Sequence, residues 1–225
     1  MKRNFLAGVA LASVLGAAGA AQAAVIVAPV SVRVTSGGTV GSFWTVDNVI
    51  DQSGLAVRYT AGVTDFDAYL AVPPRHSGEL QTEWFSHRDS RAAQLTFDFG
   101  AEVTLYKLAI WDENNSNQQS MPISTPALGL VRTFSPKENT GSPYAGGEIF
   151  EFRPITTRYL TLDITGCGSK PGAPNYVDYC GLGEIIFADG SGVAAVPEPA
   201  TWALLIGGFG MAGAALRRRQ RLALA

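Results

Sequence analysis

Gln94-Leu95-Thr96-Phe97-Asp98-Phe99 alternates polar and apolar side chains without a break, which puts Leu95, Phe97 and Phe99 on one face of an extended segment. Strand side chains point to opposite faces in turn, so a period of two marks a half-buried strand. Leu108 and Ile110 continue the pattern in the next segment, residues 103–111. Glu148-Ile149-Phe150-Glu151-Phe152 and Tyr159-Leu160-Thr161-Leu162-Asp163-Ile164 repeat it, and Glu184-Ile185-Ile186-Phe187 ends the set. Gly100 and the stretches 114–119, 136–147 and 166–174, rich in Gly, Pro or Asn, separate these runs. No internal repeat is visible. Val46-Asp47-Asn48-Val49-Ile50-Asp51 is the one helical candidate, a single turn. The pattern predicts a mainly β domain, a sandwich in which each sheet contributes one apolar face.

The two ends have a different character. Lys2 and Arg3 precede an apolar, uncharged run from Phe5 through Ala21, and Ala21-Gln22-Ala23 fits the A-x-A pattern of a signal-peptidase site. Those elements describe a removable export signal over residues 1–23, with a retained N-terminal anchor as the competing reading. At the other end, Val196-Pro197-Glu198-Pro199 precedes an apolar stretch of seventeen residues, 200–216, and Arg217, Arg218, Arg219 and Arg221 follow. The stretch is at the short limit for a transmembrane helix, and the arginines would keep that end in the cytoplasm. Pro-Glu-Pro, then Trp-Ala-Leu-Leu-Ile-Gly-Gly-Phe-Gly, then Arg-Arg-Arg resembles the PEP-CTERM sorting signal over residues 196 to about 221. The resemblance implies recognition by the membrane protease exosortase and cleavage near Pro197-Glu198-Pro199. A plain C-terminal anchor is the alternative. The chain thus divides into a signal peptide (1–23), a sandwich domain (24–192) and a sorting tail (193–225).

The formal net charge of −2 hides an asymmetry. Six of the seventeen basic residues lie in the terminal segments, which leaves 11 basic and 18 acidic residues over 25–196, a net of −7. An acidic domain of this kind offers no nucleic-acid-binding face. It is compatible with divalent cations or neutral sugars, and charge does not choose between them. Cys167 and Cys180 both fall in the exported region, where an even count reads as one disulfide. The loop between them contains Gly168, Pro171, Gly172 and Pro174, and closing it stabilises by about 3 kcal/mol. Two thiols alone do not make a zinc site, and their spacing is not that of a redox C-x-x-C pair.

The order of the segments is similar to the discoidin, or coagulation-factor C-type, branch of the galactose-binding-like jelly-roll superfamily. Asn48-Val49-Ile50-Asp51 comes early, then a loop containing Trp84, then Leu95-Thr96-Phe97-Asp98-Phe99-Gly100 and Tyr106-Lys107-Leu108-Ala109-Ile110-Trp111. Thr157-Arg158-Tyr159-Leu160-Thr161-Leu162 and Gly181-Leu182-Gly183-Glu184-Ile185 stand near the end. The resemblance spans roughly 29 to 189 and implies a jelly-roll β-sandwich. It also implies a structural calcium ion between the early Asp and the late Glu. Carried over, the side chains would be those of Asp51 and Glu184, with backbone carbonyls from Asp51 to Leu55 completing an oxygen shell. Here Gln52-Ser53-Gly54 follows Asp51, where relatives commonly have a Gly and a second polar ligand. The alternative is that Asp51 caps a turn and Glu184 makes a buried hydrogen bond or ion pair.

Ligands of this fold bind on loops at one end of the sandwich. The candidate here is residues 65–91, with Trp84, His87 and Arg88 foremost and Tyr69, Arg75, His76, Phe85 and Arg91 beside them. Aromatic faces stack on sugar rings while Arg and His bond hydroxyls. Against this stands the reading that Trp84 and Phe85 pack beneath the loop. Residues 114–119, Asn- and Gln-rich, read as a flexible loop. No G-x-S-x-G, H-E-x-x-H or phosphate-binding glycine loop points to an enzyme. The expectation is an exported, exosortase-sorted surface or matrix protein whose sandwich binds cell-surface glycan or exopolysaccharide without catalysis. A purely structural matrix protein and, more remotely, a secreted hydrolase are the other readings.

Overall fold

The structure is a computed structural model and describes residues 24–112, 120–137, 146–168, 178–191 and 209. The predicted signal peptide, the 114–119 loop, and Pro197, Glu198, Pro199 and Arg217 to Arg219 of the tail lie outside the described residues. Among the described residues no helix is long and apolar enough to cross a membrane.

Among the described residues the domain has eight strands: β1 (Ile26–Val27), β2 (Ser31–Ser36), β3 (Trp84–Phe85), β4 (Ala92–Asp112), β5 (Met121–Thr125), β6 (Gly129–Phe134), β7 (Glu148–Thr165) and β8 (Gly181–Asp189). All pairings are antiparallel. The long strands β4 and β7 run side by side through both layers. The first half of β4 pairs with β2 and the second half of β7, which continues to β5 and β6. The second half of β4 pairs with β8 and the first half of β7, and β8 also takes β1 and β3.

The runs 94–99 and 103–111, expected as separate strands, are therefore one strand, and so are 148–152 and 159–164. The register slips between Asp98 and Val103, where Gly100 takes φ +78° and donates its amide to Asp98 Oδ1 at 2.8 Å. Such an irregularity bends a strand without ending it. Gly100 does not separate two strands; it carries one strand from the first sheet into the second. Arg158, on β7, holds both carboxylate oxygens of Asp98 at 2.8 and 3.0 Å across the bend.

Leu95, Phe97 and Phe99 meet Leu108, Ile110, Leu182, Ile185 and Phe187 in the main core between the layers. The rings of Phe97 and Phe99 stand edge-on to Phe187 at 5.3 and 5.2 Å. One apolar face per sheet is too simple, however. The opposite face of β4 and β8, with Ala109, Trp111, Ile186 and Ala188, is buried in a second core with Ile26, Leu55, Tyr59, Phe66 and Leu70. The short helix α1 (Phe66–Ala71), absent from the sequence expectation, lies in the segment that supplies this cover. Asp65 caps it by accepting from the Ala68 amide, and Asp67 pairs with Lys107 of β4 at 2.5 Å. The predicted turn at 46–51 is a 3-10 turn, Val46–Val49.

Candidate functional site

Trp44, Phe85 and Tyr179, with Val40 and Arg88, line a small open cleft. Three separate stretches of chain build it, and each is fastened. Phe85 belongs to β3, pinned to β8 by the pairs Trp84 with Leu182 and Phe85 with Gly181. The loop carrying Trp44 is tied down by Asn48, a buried residue whose Nδ2 donates to the carbonyl oxygens of Phe43 (3.3 Å) and Glu83 (2.7 Å). Thr45 Oγ1 bonds Asn48 Oδ1 at 3.2 Å, and the Val40 amide donates to the Phe85 carbonyl at 3.0 Å.

Tyr179 is placed by the expected disulfide. Cys167 and Cys180 are bonded, fully buried and 4.9 Å apart at Cα. Ser86 and Cys180 then grip each other twice: the Ser86 amide donates to the Cys180 carbonyl, and the Cys180 amide donates to Ser86 Oγ, both at 2.9 Å. Arg91 Nε adds a 2.8 Å bond to the Cys167 carbonyl. With Tyr179 fixed beside this clip, its ring meets Phe85 edge-on at 5.1 Å, and Phe85 meets Trp44 edge-on at 5.9 Å. Aromatic walls with one cationic fork suit a ligand that has an apolar face and hydroxyl groups.

The residues expected to contact ligand divide. Arg88 lines the cleft. Trp84 does not: it is fully buried in the main core, with its Nε1 donating to Thr39 Oγ1 at 3.0 Å. Alternation along β3 sends Trp84 inward, and the adjacent Phe85 reaches the cleft. His87 is exposed, outside the cleft lining, with its imidazole against Gly38. The stretch 65–91 is not one ligand loop, since it includes α1 and β3 and covers the second core. Trp44 and Tyr179 join the cleft although they are not among the residues the sequence singles out. Their signals were an aromatic pair, Phe43-Trp44, within a Gly- and Ser-containing stretch, and a Tyr next to a paired cysteine.

Asp51 and Glu184 are brought to one place on the other face of β8. Glu184 is fully buried, and its Oε2 accepts the Gln52 amide at 3.0 Å. Its Oε1 has no hydrogen-bond partner, and neither has the buried Ser53 Oγ. Asp51 Oδ1 accepts from the Ser53 amide at 2.8 Å. Burial, reinforced by the charge of Asp51, pushes the Glu184 carboxyl well above the usual range. The loop approaches closely because Gly54 lies flat on the His76 ring, where a side chain would collide. Among the described residues no three or more His, Cys, Asp or Glu side chains gather to hold a metal. Any oxygen shell here therefore draws on two carboxylates, the Ser53 hydroxyl and main-chain carbonyls.

No curated protein sequence matches the chain. Several solved structures resemble it in fold. The CBM32 of AlyQ in complex with 4,5-unsaturated mannuronic acid is 18% identical, with 72% of this chain and 96% of that one covered at a TM-score of 0.43. The family 32 CBM from C. perfringens NanJ in complex with galactose is 15% identical, covering 71% and 93% at 0.45. Chitosan-binding module 1 from the chitosanase/glucanase of Paenibacillus sp. IK-5 is 15% identical, covering 72% and 95% at 0.42. At this level of likeness no residue correspondence follows. The tail is recognised directly: residues 195–219 match the PEP-CTERM protein-sorting motif.

Proposed function

We propose that the chain is exported, held briefly in the inner membrane by its C-terminal apolar stretch, and cut by exosortase near Pro197-Glu198-Pro199. It is left at the cell surface or in the matrix, where the sandwich binds carbohydrate without transforming it. The observation that carries the binding assignment is the cleft of Trp44, Phe85 and Tyr179 with Arg88 at its edge. Sugar rings present an apolar face of C–H groups to such walls, while the guanidinium bonds hydroxyls.

Both cores lie within residues 24–188, so a 24–196 segment keeps them whole. That segment, probed on a glycan array with and without calcium, is expected to bind neutral or mixed surface polysaccharide, and Trp44→Ala to abolish the signal. A silent array, including the organism's own exopolysaccharide, would remove the assignment.

Calcium fits the second cluster as a structural ion. Asp51, Glu184 and Ser53, with carbonyls of the 51–55 loop, would hold it. There it would supply a partner for the unpaired Glu184 oxygen and offset the repulsion between that buried carboxylate and the exposed Asp51.

A further inference from the structure

We infer that the binding surface continues beyond the cleft through Phe43, so that the protein grips the interior of a polysaccharide chain instead of a single terminal sugar. This rests on the carbohydrate reading of the cleft. Four rings follow one another in edge contact: Phe43 to Trp44 at 6.5 Å, Trp44 to Phe85 at 5.9 Å, and Phe85 to Tyr179 at 5.1 Å. Together they make one continuous aromatic surface that runs from the cleft out to Phe43.

Phe43 lies outside the cleft lining and is 51% exposed. An exposed phenylalanine on a loose loop would need no explanation. This one is held in place. The buried side chain of Asn48 bonds the Phe43 carbonyl and the Glu83 carbonyl at once, which ties the backbone at Phe43 to the entry of β3, the strand that carries Phe85. The loop backbone is therefore ordered where it presents an exposed apolar ring, next to a cleft with three more rings. A stacking ligand is spared that ordering cost, because the ordering is complete before it arrives. The occupant has to be long enough to leave the cleft and apolar on one face, which describes a β-linked glycan chain.

The test is calorimetry of the 24–196 segment with cello-, laminari- and chito-oligosaccharides of one to six units. Affinity is expected to rise at least ten-fold between the single sugar and the tetramer of the series that binds. Phe43→Ala is expected to remove that gain, and Phe43→Trp to restore it. Wild-type affinity that does not grow with length overturns the extended surface alone, as does a Phe43→Ala protein with the wild-type length dependence. A segment that binds no member of these series, while the glycan array gives a signal, overturns the extended surface for a β-linked chain; silence in both overturns the cleft assignment, and the extension falls with it.

Discussion

The amide of Gln52 donates a 3.0 Å hydrogen bond to Oε2 of Glu184, 132 residues further along the chain. This contact closes the early Asp51 loop over β8 and leaves the other oxygen of a fully buried carboxylate without a partner. An unsatisfied buried oxygen is costly, and the calcium ion proposed above would supply its missing partner.

Calcium at a hundred times its dissociation constant should stabilise the folded domain by about 2.7 kcal/mol. For a domain of this size that corresponds to a rise in Tm of about 5 to 10 °C. Glu184→Gln should abolish the rise. Thermal melts in calcium and in EDTA measure both, and identical wild-type melts would end the calcium assignment.

His76 is wholly buried, and burial lowers its pKa from 6.5 to about 4. Between those values the unfolded chain takes up a proton that the folded chain refuses. Stability therefore falls as pH drops through that window, by up to about 3 kcal/mol. Glu184 has the opposite slope, since its raised pKa lets the folded state bind a proton more readily than the unfolded one. The comparison is thus wild type against His76→Gln, by urea midpoints from pH 7 to pH 4. Only the wild type should show the His76 loss; parallel curves would mean the imidazole is not held neutral by the fold.

Loss of the Cys167–Cys180 bond should cost about 3 kcal/mol, or about 6 to 12 °C in Tm. Binding should weaken more than stability alone explains, because Tyr179 adjoins Cys180 and the Ser86 clip. Titration of the Cys167→Ser, Cys180→Ser double variant with the array's best glycan, at a temperature where the variant is still folded, checks this.

The two tryptophans near the cleft should separate cleanly. Trp84→Ala empties a fully buried site and should destabilise by about 3 to 5 kcal/mol. Trp44→Ala should cost about 1 kcal/mol and lower glycan affinity at least ten-fold. Chemical denaturation alongside calorimetry separates the two effects, and equal affinity loss at equal stability would contradict the placement of Trp84.

Replacing Pro197, Glu198 and Pro199 by alanine should leave a longer, membrane-bound form of the chain. Fractionation and immunoblotting in a strain that carries exosortase would show it. Release of the variant at the wild-type size would mean the motif is not the processing site.

The strand pattern was legible because alternation is local: Leu95, Phe97 and Phe99 declare their face wherever the strand goes. The role of Gly100 is not legible in the sequence, because a glycine at the end of a run looks the same whether the chain turns away or bends onward into the other sheet. Helix α1 has six residues, too few for a 3.6-residue period to show. The disulfide was legible from the count and compartment of two cysteines. Its consequence, the placing of Tyr179 against Phe85, was not, because the two residues lie far apart in the chain.

By itself the sequence determined the sorting tail, since Pro-Glu-Pro, an apolar stretch and an arginine cluster act through order and composition. It also determined the β class. Only the tertiary structure decided which tryptophan faces ligand. Trp84 and Trp44 both sit in loop-like sequence, and the register of β3 on β8 turns one into the core, while the Asn48 anchor holds the other at the cleft. Register and anchoring are long-range contacts, and no local pattern encodes them.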